Sequence, residues 1–506
     1  MSTKLHVGII GAGFSGIRCA DILVQNGVRV TILEARDRIG GRVHQEVVGG
    51  HLVDLGPNWI HDTGGNPITA IADATQTVAH DPEGRNISIS RDGHLLSEDV
   101  VTKAEEFMWT TIEQAFEYSK RHGDKIPPER SLYDFFQEKL DQSPFSAEEK
   151  QLCLDSCKLW GAYVGDPIER QSLKFFCLEE CIDGDNYFVA STYKRILEYI
   201  SRDVLSHADI RFKQAVVSID APPRNDGQPR HQITVATATG ERYSFDEVVV
   251  TCPLGWLKQN TEAFSPSLPS RLLEAIHSIS YGRLEKVYVT FPRAFWHSSS
   301  TNTNSQHIGS TNISNPVKNP VFAQFLDPSY AEHPANLEWN QECLSLAAMP
   351  PPYNHPTLLF YTYGPCSTHI VEQIASLDPH SSEYRTVLVD FFDPFYSKLP
   401  GYDITSSDCI PTAIMATRWQ KDPYAGNGSY CNFQVGLTRA DEDIEVLRSG
   451  AGAGSERGLW FAGEHTAPFE ALGTVAGAYS SGERAAVQVC ESLGLEVSPL
   501  PSFVGK

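Results

Sequence analysis

Three glycines with the spacing Gly11-x-Gly13-x-x-Gly16 are the residues of this chain best suited to binding phosphate groups. They follow a short apolar run typical of a strand and precede a pattern typical of a helix. The first glycine allows a tight turn, the second lets a pyrophosphate approach the backbone, and the third lets the helix pack on the strand. Because a helix N-terminus also offers free N–H groups to an anion, the spacing predicts a dinucleotide cradle that includes Phe14 and Ser15.

A carboxylate and a basic glycine pair follow the next apolar run. Glu34 ends the strand-like run at 28–33, where a carboxylate accepts hydrogen bonds from an adenosine ribose and disfavours a 2′-phosphate. Gly40 and Gly41 then let the backbone come close to a ligand, and Arg42 adds a permanent cation. Glycine-rich turns between a strand and a helix also occur without a ligand, but the agreement of these features favours a dinucleotide site.

A second carboxylate and a second glycine-rich stretch lie near the C-terminus. Glu464 follows an apolar run and precedes the glycine-rich residues 473–482. A carboxylate there can accept hydrogen bonds from ligand hydroxyls, and the N–H groups near Val475 at a helix start can bind a carbonyl that gains charge. The alternative is a glycine-rich helix that merely packs tightly on a sheet.

A lysine stands inside an apolar, aromatic run in the middle of the chain. Lys286 alternates with Leu284 and Tyr288, so these side chains project to one face of the predicted strand. Burying an unpaired charge is costly, and a lysine among inward aromatic side chains therefore usually has a function. The alternative is a solvated lysine on an edge strand.

Together these segments resemble the motifs of the flavin amine oxidase family over the full chain, and within it the polyamine oxidase-like branch of fungal type. Residues 38–42 are similar to its second FAD signature, 461–482 to its C-terminal flavin motif, 284–296 to the strand with the active-site lysine, and 419–423 with 428–431 to the segment against the flavin re face. The resemblance implies FAD as the cofactor. The cofactor-binding residues that it implies are Gly11, Gly13, Phe14, Ser15, Gly16, Glu34, Ala35, Arg36, Gly41, Arg42, Gly56, Pro57, Asn58, Trp59, Val217, Trp419, Gly463, Glu464, Thr474 and Val475.

The same resemblance implies four catalytic residues. Lys286 would hold a water hydrogen-bonded to flavin N5, and Tyr430 would form one wall of an aromatic cage that guides an amine. Thr474 stands where monoamine oxidases have the second cage tyrosine, and with His61 it resembles polyamine oxidases, whose histidine hydrogen-bonds the substrate. Ser429 replaces the cysteine that links flavin to monoamine oxidases, so the FAD is predicted to be non-covalent. A core tyrosine and a packed or capping histidine are the alternatives for Tyr430 and His61.

The predicted fold class is α/β, with a Rossmann-like FAD-binding domain interleaved with an α+β substrate domain of mixed sheet and helices, as the resemblance implies. The expected limits are 1–97, 206–284 and 413–495 for the FAD-binding segments, 98–205 and 285–412 for the substrate domain, and 496–506 for a tail.

Local patterns add detail to this arrangement. Apolar periodicity predicts helices between 101 and 176, and β-branched runs predict strands at 210–217, 233–238 and 248–251. The tract at 298–320, rich in Ser, Thr and Asn, predicts a mobile loop.

Composition excludes several classes of protein. The 506 residues, 41% hydrophobic and 21% charged, describe a globular chain long enough for two domains. A net charge of -22 argues against a nucleic-acid partner, and no run of about twenty apolar residues predicts a membrane helix. Eleven cysteines without a signal-peptide pattern predict free thiols in the cytoplasm, with a peroxisomal location left open. Cys153 with Cys157 and Cys177 with Cys181 are each spaced four residues apart. No metal site is predicted, because these cysteines lack further ligands at a suitable spacing.

The function that the resemblance implies is oxidation of an amine, a polyamine or acetylated polyamine above all, to an imine with reduction of O2 to H2O2. The expected partners are therefore a small-molecule amine and molecular oxygen. The alternative is a flavin oxidase of a biosynthetic pathway that acts on a bulkier amine-containing intermediate. A flavin-holding interaction protein without turnover is a third, less favoured hypothesis.

Overall fold

A computed structural model describes residues 5–61, 63–82, 84–179, 184–224, 232–297, 319–334, 337 and 339–497. Most of the predicted loop at 298–320 and most of the predicted tail lie outside these described residues. The strands are β1 His6–Ile10, β2 Arg29–Leu33, β3 Gln45–Val48, β4 His51–Asp54, β5 Trp59–Ile60, β6 Ala79–His80, β7 Arg85–Ile89, β8 Tyr187–Val189, β9 Asp209–Arg211, β10 Val216–Asp220, β11 Ile233–Thr237, β12 Arg242–Phe245, β13 Glu247–Val250, β14 Phe264–Ser265, β15 Ser280–Tyr281, β16 Glu285–Thr290, β17 Pro320–Phe325, β18 Gln341–Ser345, β19 Thr357–Thr362, β20 Ala413–Ala416, β21 Cys431–Asn432 and β22 Leu459–Phe461.

The helices alternate with these strands in the manner of an α/β fold, which confirms the predicted fold class. They are α1 Phe14–Gln25, α2 Pro67–Ala74, α3 Glu98–His122, α4 Leu132–Gln142, α5 Ala147–Lys158, α6 Gly161–Val164, α7 Lys194–His207, α8 Leu254–Gln259, α9 Ser270–Ser278, α10 Gly364–Ile374, α11 Ser382–Tyr396, α12 Ala440–Ser449, α13 Ala453–Arg457 and α14 Val475–Ser492.

A five-stranded parallel sheet in the order β22-β13-β1-β2-β9 holds the N-terminal glycine motif. Its strands come from distant parts of the sequence, and the central strands are buried apolar runs, as expected of a parallel sheet covered on both faces. Helices α1 and α14 pack together against it and share one apolar core. The sheet therefore brings the first and last motifs of the chain to one place.

The strand predicted at 210–217 is wrong as a single element. Residues 209–211 form β9 beside β2 in the parallel sheet, whereas 216–220 form β10 in a separate sheet with the order β12-β11-β10-β14. The chain turns between them at Lys213, whose φ of 57° lies in the left-handed region. A continuous β-branched pattern does not reveal such a turn, because pairing with different sheets is decided by distant segments.

A six-stranded mixed sheet in the order β20-β16-β19-β18-β17-β7 carries Lys286. One face packs aromatic and aliphatic side chains against α10 and α11. Strands β7 and β20, which fall within the predicted limits of FAD-binding segments, pair within this sheet. The domain limits themselves stay predictions.

The region predicted as helical between 101 and 176 contains α3, α4 and α5, which are separated by the segments 123–131 and 143–146. Capping boxes at Ser131 and Ser146 start the second and third of these helices, and each uses an acid three residues later. These helices form their own apolar cluster.

Candidate functional site: a cofactor cradle beside a buried lysine

The glycine turn after β1 leaves backbone exposed where α1 begins. Gly11 has a φ of 105°, and a Cβ at Gly16 would lie 2.1 Å from the carbonyl oxygen of Gly11, so both positions require glycine. A Cβ at Gly13, in contrast, would meet no described atom within 4 Å, whereas one at Gly41 would approach the Cα of Gly13 at 3.4 Å. Phe14 is the first residue of α1. The helix start therefore faces open space of the kind that a pyrophosphate requires.

Glu34 lies next to this turn, at the end of β2. Its carboxylate is buried and accepts hydrogen bonds from the backbone nitrogens of Ala12, at 2.7 Å, and Arg36, at 2.8 Å. The guanidinium of Arg36 pairs with Asp422, with 2.8 Å between Nη2 and Oδ2. This ion pair holds the segment that carries Trp419 at the end of β2. Ala35, another predicted contact, lies between Glu34 and Arg36.

Arg42 joins the N-terminal motif to the C-terminal one. Its Nη1 donates to Glu464 Oε1 at 3.0 Å and to the carbonyl oxygen of Ser429 at 2.6 Å. Burial raises the pKa of Glu464, but the charges of Arg42 and His465 and the hydrogen bonds to the carboxylate together outweigh burial and lower that pKa below its ordinary value. Glu464 is therefore an ionised, buried acceptor.

The helices α1 and α14 approach each other closely at their small residues. Ser15 and Ser481 have hydroxyl oxygens 3.1 Å apart, and Ser481 also accepts from the backbone nitrogen of Gly463 at 2.9 Å. A Cβ at Gly482 would lie 2.3 Å from the carbonyl oxygen of Ser15. The two glycine-rich motifs thus form one packed unit.

The N-terminus of α14 lies beside an aromatic ring. Thr474 caps this helix: its Oγ1 accepts from the backbone nitrogen of Gly477 at 3.0 Å and donates to the carbonyl oxygen of Ala471 at 2.7 Å. A Cβ at Gly473 would approach the ring of Tyr430 at 3.2 Å. The start of α14 at Val475, where the first N–H groups of a helix have no partner within the helix, therefore lies in the same region as the ring of Tyr430.

Lys286 is buried on β16, with only 6% of its surface exposed. Its Nζ donates to the carbonyl oxygen of Gly56, and the ring of Tyr361 lies 5.8 Å from it. Burial lowers the pKa of Lys286, and the nearby charge of Asp54 opposes this effect. Lys286 is therefore not a solvated edge residue, and its amine is poised to lose its proton more readily than an exposed lysine.

The segment that follows Gly56 also lies near Lys286. Trp59 donates from Nε1 to the hydroxyl of Tyr361 at 3.1 Å, and that hydroxyl donates to Asn58 Oδ1 at 3.3 Å. Trp419 donates from Nε1 to the carbonyl oxygen of Leu55 at 3.1 Å. Pro57 lies between these contacts. The predicted residues 56–59 and Trp419 therefore converge on the surroundings of Lys286.

His61 and Tyr430 are both hydrogen-bonded. His61 Nδ1 lies 3.0 Å from Asn186 Oδ1, and burial lowers the pKa of the imidazole, which keeps it neutral at neutral pH. Tyr430 donates its hydroxyl hydrogen to the carbonyl oxygen of Tyr163. Their catalytic roles stay predictions.

Val217 stands apart from the other predicted contacts. It lies on β10, and its side chain is 52% exposed. A backbone nitrogen nearby, that of Gln214, donates to the carbonyl oxygen of Glu34 at 2.8 Å. The contact of Val217 with the cofactor stays a prediction.

Glu285 is a site residue that the sequence reasoning missed. It is buried, and its carboxylate accepts from Thr417 Oγ1 at 2.5 Å and from the backbone nitrogens of Trp419 and Gln420 at 3.0 and 2.8 Å. Burial raises the pKa of Glu285 to about 7, although these donors oppose the rise. A charged residue within an apolar strand run was the available signal.

Two further properties concern metals and membranes. Among the described residues, no group of three or more His, Cys, Asp and Glu side chains is arranged to hold a metal ion. None of the helices in the described part of the chain has the length and apolar character needed to cross a bilayer.

The fold and this site define a class of protein. Residues 14–490 match the family described as flavin containing amine oxidoreductase, and the chain belongs to that family. It is 28% identical to probable polyamine oxidase 4 of Arabidopsis thaliana over 307 aligned residues, 57% of this chain and 58% of that protein. It is 25% identical to polyamine oxidase 4 of Oryza sativa subsp. japonica over 526 aligned residues, 98% of this chain and 90% of that protein.

The similarity also extends to a protein described differently. Protein FLOWERING LOCUS D of Arabidopsis thaliana is 25% identical over 511 aligned residues, which cover 97% of this chain and 56% of that protein. The chain therefore spans little more than half the length of several of the relatives it matches.

The cradle fits the flavin cofactor that the family implies. The open space at Gly13 lies at the start of a helix, and the buried ring nitrogens of His465, next to Glu464, have no hydrogen-bond partner among the described residues. Such orphaned polar atoms are costly in a buried site unless a ligand or water satisfies them.

Proposed function

We propose that this protein is an FAD-dependent amine oxidase that converts an amine to an imine while O2 is reduced to H2O2. The observation that carries the proposal is the burial of Lys286 between the Gly56 carbonyl and the ring of Tyr361, at the place where the segments of the cofactor cradle converge. A buried lysine whose pKa is lowered is typical of a functional site.

FAD would be held without a covalent bond by residues of three segments. The N–H groups at the start of α1 would receive the pyrophosphate, Glu34 the adenosine ribose, and Glu464 the hydroxyls of the flavin side chain. The hydroxyl of Ser429 accepts from the backbone nitrogen of Leu284 at 3.3 Å and offers no thiol for a thioether bond. When bound, the flavin supplies a two-electron acceptor for the hydride on the carbon next to the amine nitrogen, and O2 regenerates it.

The protein's own residues would orient the amine and control its protons. Tyr430 and the cap at Thr474 would guide the amine to the flavin. Because Thr474 stands where monoamine oxidases have the second cage tyrosine, Tyr430 would be the one aromatic wall of the cage. His61, kept neutral by burial, can accept a hydrogen bond from a substrate N–H. Lys286 would hold a water at the reacting position through a hydrogen bond.

A polyamine or acetylated polyamine is the substrate class we favour, because the chain is similar to polyamine oxidases and carries His61 with Thr474. The alternative is a flavin oxidase of a biosynthetic pathway that acts on a bulkier amine-containing intermediate. That alternative is kept because Thr474 stands where monoamine oxidases have a tyrosine, so the predicted cage differs from theirs at this position.

The test is an anaerobic titration of the purified holoenzyme. Spermine, spermidine, acetylated polyamines, monoamines and amino acids are added in turn while the flavin spectrum is followed, and H2O2 is then measured in air. We expect polyamines to bleach the flavin rapidly and to yield peroxide. If none of these amines reduces the flavin, or if the protein refuses to take up FAD, the proposal fails.

A further inference from the structure

A row of polar side chains crosses the six-stranded sheet from Lys286. Its members are paired directly in register: Lys286 with Tyr361, Tyr361 with Glu342, Glu342 with Gln324, and Gln324 with Ser88. Residues paired in this way project to the same face of a sheet. The face opposite to this row is the apolar one that packs against α10 and α11.

A directed chain of hydrogen bonds fixes the far half of this row. Ser88 donates from Oγ to Gln324 Oε1 at 3.0 Å, and Gln324 donates from Nε2 to Glu342 Oε2 at 3.1 Å. All three side chains are buried. The amide of Gln324 is thus oriented by Ser88, and it holds the Glu342 carboxylate in one position while engaging one of its two oxygens.

The Glu342 carboxylate has no counter-charge among the described residues. It is 5% exposed, its one hydrogen bond comes from a neutral amide, and no ion pair with it occurs in the described part of the chain. Burial raises the pKa of Glu342 to about 7, with a contribution from the charge of Glu105. Glu285 differs, because three donors satisfy it. An isolated buried carboxylate is costly to keep ionised unless a cation joins it.

Tyr361, paired directly with Glu342 across the sheet, places an aromatic side chain beside this carboxylate. Burial is the main cause that raises the pKa of Tyr163, and the charge of Glu342 adds to it. Burial and the charge of Glu342 also raise the pKa of Tyr361. Tyr163 in turn accepts the hydrogen bond of Tyr430, the predicted cage residue. A carboxylate with an aromatic ring beside it is suited to bind an organic cation, because both groups attract positive charge.

We infer that Glu342 determines substrate specificity by receiving a second cationic group of the substrate, distinct from the amine that is oxidised. It lies two strands from Lys286, a backbone separation of about 10 Å at the usual strand spacing. This inference rests on the proposed amine oxidation. It selects substrates with at least two cationic nitrogens over monoamines of equal length.

The experiment compares probes that differ by one charge. Binding of 1,8-diguanidinooctane and of octylguanidine to the holoenzyme is measured by calorimetry, and kcat/KM is measured for 1,8-diaminooctane and octylamine derivatives carrying the same N-ethyl group. The variants are Glu342→Gln, which keeps the shape of the side chain, and Glu342→Asp, which keeps its charge. Glu106→Gln, an exposed position on α3, is the control for the loss of one negative charge.

We expect Glu342→Gln to weaken binding of the two-cation probe about thirtyfold or more, as is typical when one member of a buried charge pair is removed. Binding of octylguanidine should change less than about threefold, Glu342→Asp should retain part of the discrimination, and Glu106→Gln should behave as the wild type. The inference is overturned if Glu342→Gln affects both probes equally or neither, or if the wild type binds both alike. Failure of every amine to reduce the wild-type flavin would instead refute the proposed function.

Discussion

Replacing Lys286 with Met should make the protein more stable and less active. The buried lysine is held by one hydrogen bond, to the Gly56 carbonyl, and burial lowers its pKa, which means that the folded state disfavours its charge. Met keeps most of the apolar stem without the amine. We therefore expect the rate of flavin reduction or of flavin reoxidation to fall by orders of magnitude while the free energy of unfolding rises.

The size of the gain follows from the pKa. Each unit by which burial lowers a lysine pKa costs about 1.4 kcal/mol when the group is charged in the unfolded chain. Burial lowers the pKa of Lys286 from 10.5 to about 7, with the attraction to Asp54 already included, and at pH 7 this shift corresponds to roughly 4 kcal/mol. Loss of the hydrogen bond to the Gly56 carbonyl offsets about 2 kcal/mol of this gain, which leaves roughly 2 kcal/mol. Asp54 keeps its donors Gln45 and Tyr193.

The gain should depend on pH in one direction. Because the pKa of Lys286 is lower in the folded state, its destabilising effect is complete below the folded pKa and disappears as the pH rises to the unfolded value of about 10.4. Urea denaturation at pH 7 and pH 10 should therefore show a stabilised variant at pH 7 and a smaller difference at pH 10.

Lys258→Met provides the matched control. Lys258 also donates to a single carbonyl, that of His277, and burial also lowers its pKa, to about 8, but it is not among the predicted site residues. This variant should keep its stopped-flow rates. The reasoning would be refuted if Lys286→Met left both half-reactions unchanged, or if its stability relative to the wild type did not vary between the two pH values.

Three further predictions concern the cradle, the missed carboxylate and the substrate's proton. Gly13→Ala should fold but lose most of its flavin, because the added methyl group projects into the space of the predicted pyrophosphate. The control Gly123→Ala should keep its flavin, and the absorbance of bound flavin after gel filtration measures the difference. Glu285→Gln should lose about 1–3 kcal/mol of stability and shift the flavin spectrum, because an amide cannot accept from all three donors. Urea denaturation and absorbance spectra measure these two effects, and the control Glu262→Gln, at an exposed position, should show neither. The rate of anaerobic reduction should rise between pH 7 and 10 as the amine substrate, with a pKa near about 10, loses its proton; a flat stopped-flow profile would count against oxidation of the neutral amine.

Local sequence patterns were sufficient for the elements that carry the cradle. Gly11, Gly13 and Gly16 specify a turn whose geometry depends on a few adjacent residues, and the apolar run before them forms a strand wherever a sheet can bury it. The helices between 101 and 176 were predicted for the same reason. The family of the chain followed from the spacing of these short motifs.

Pairing between distant segments was not predictable in this way. Nothing near Glu285 indicates that its carboxylate would accept from Trp419, and nothing near Glu342 indicates that it would lie in one row with Lys286. The strand predicted at 210–217 divides between two sheets for the same reason.

The sequence by itself determined the type of each local element and the class of cofactor, because helix and strand periodicity and glycine turns act over a few residues. Only the tertiary structure decided which charges are buried and which of them are paired. Burial and pairing depend on what a distant part of the chain places beside a side chain, and they set the pKa of Lys286 and leave the Glu342 carboxylate without a cation among the described residues.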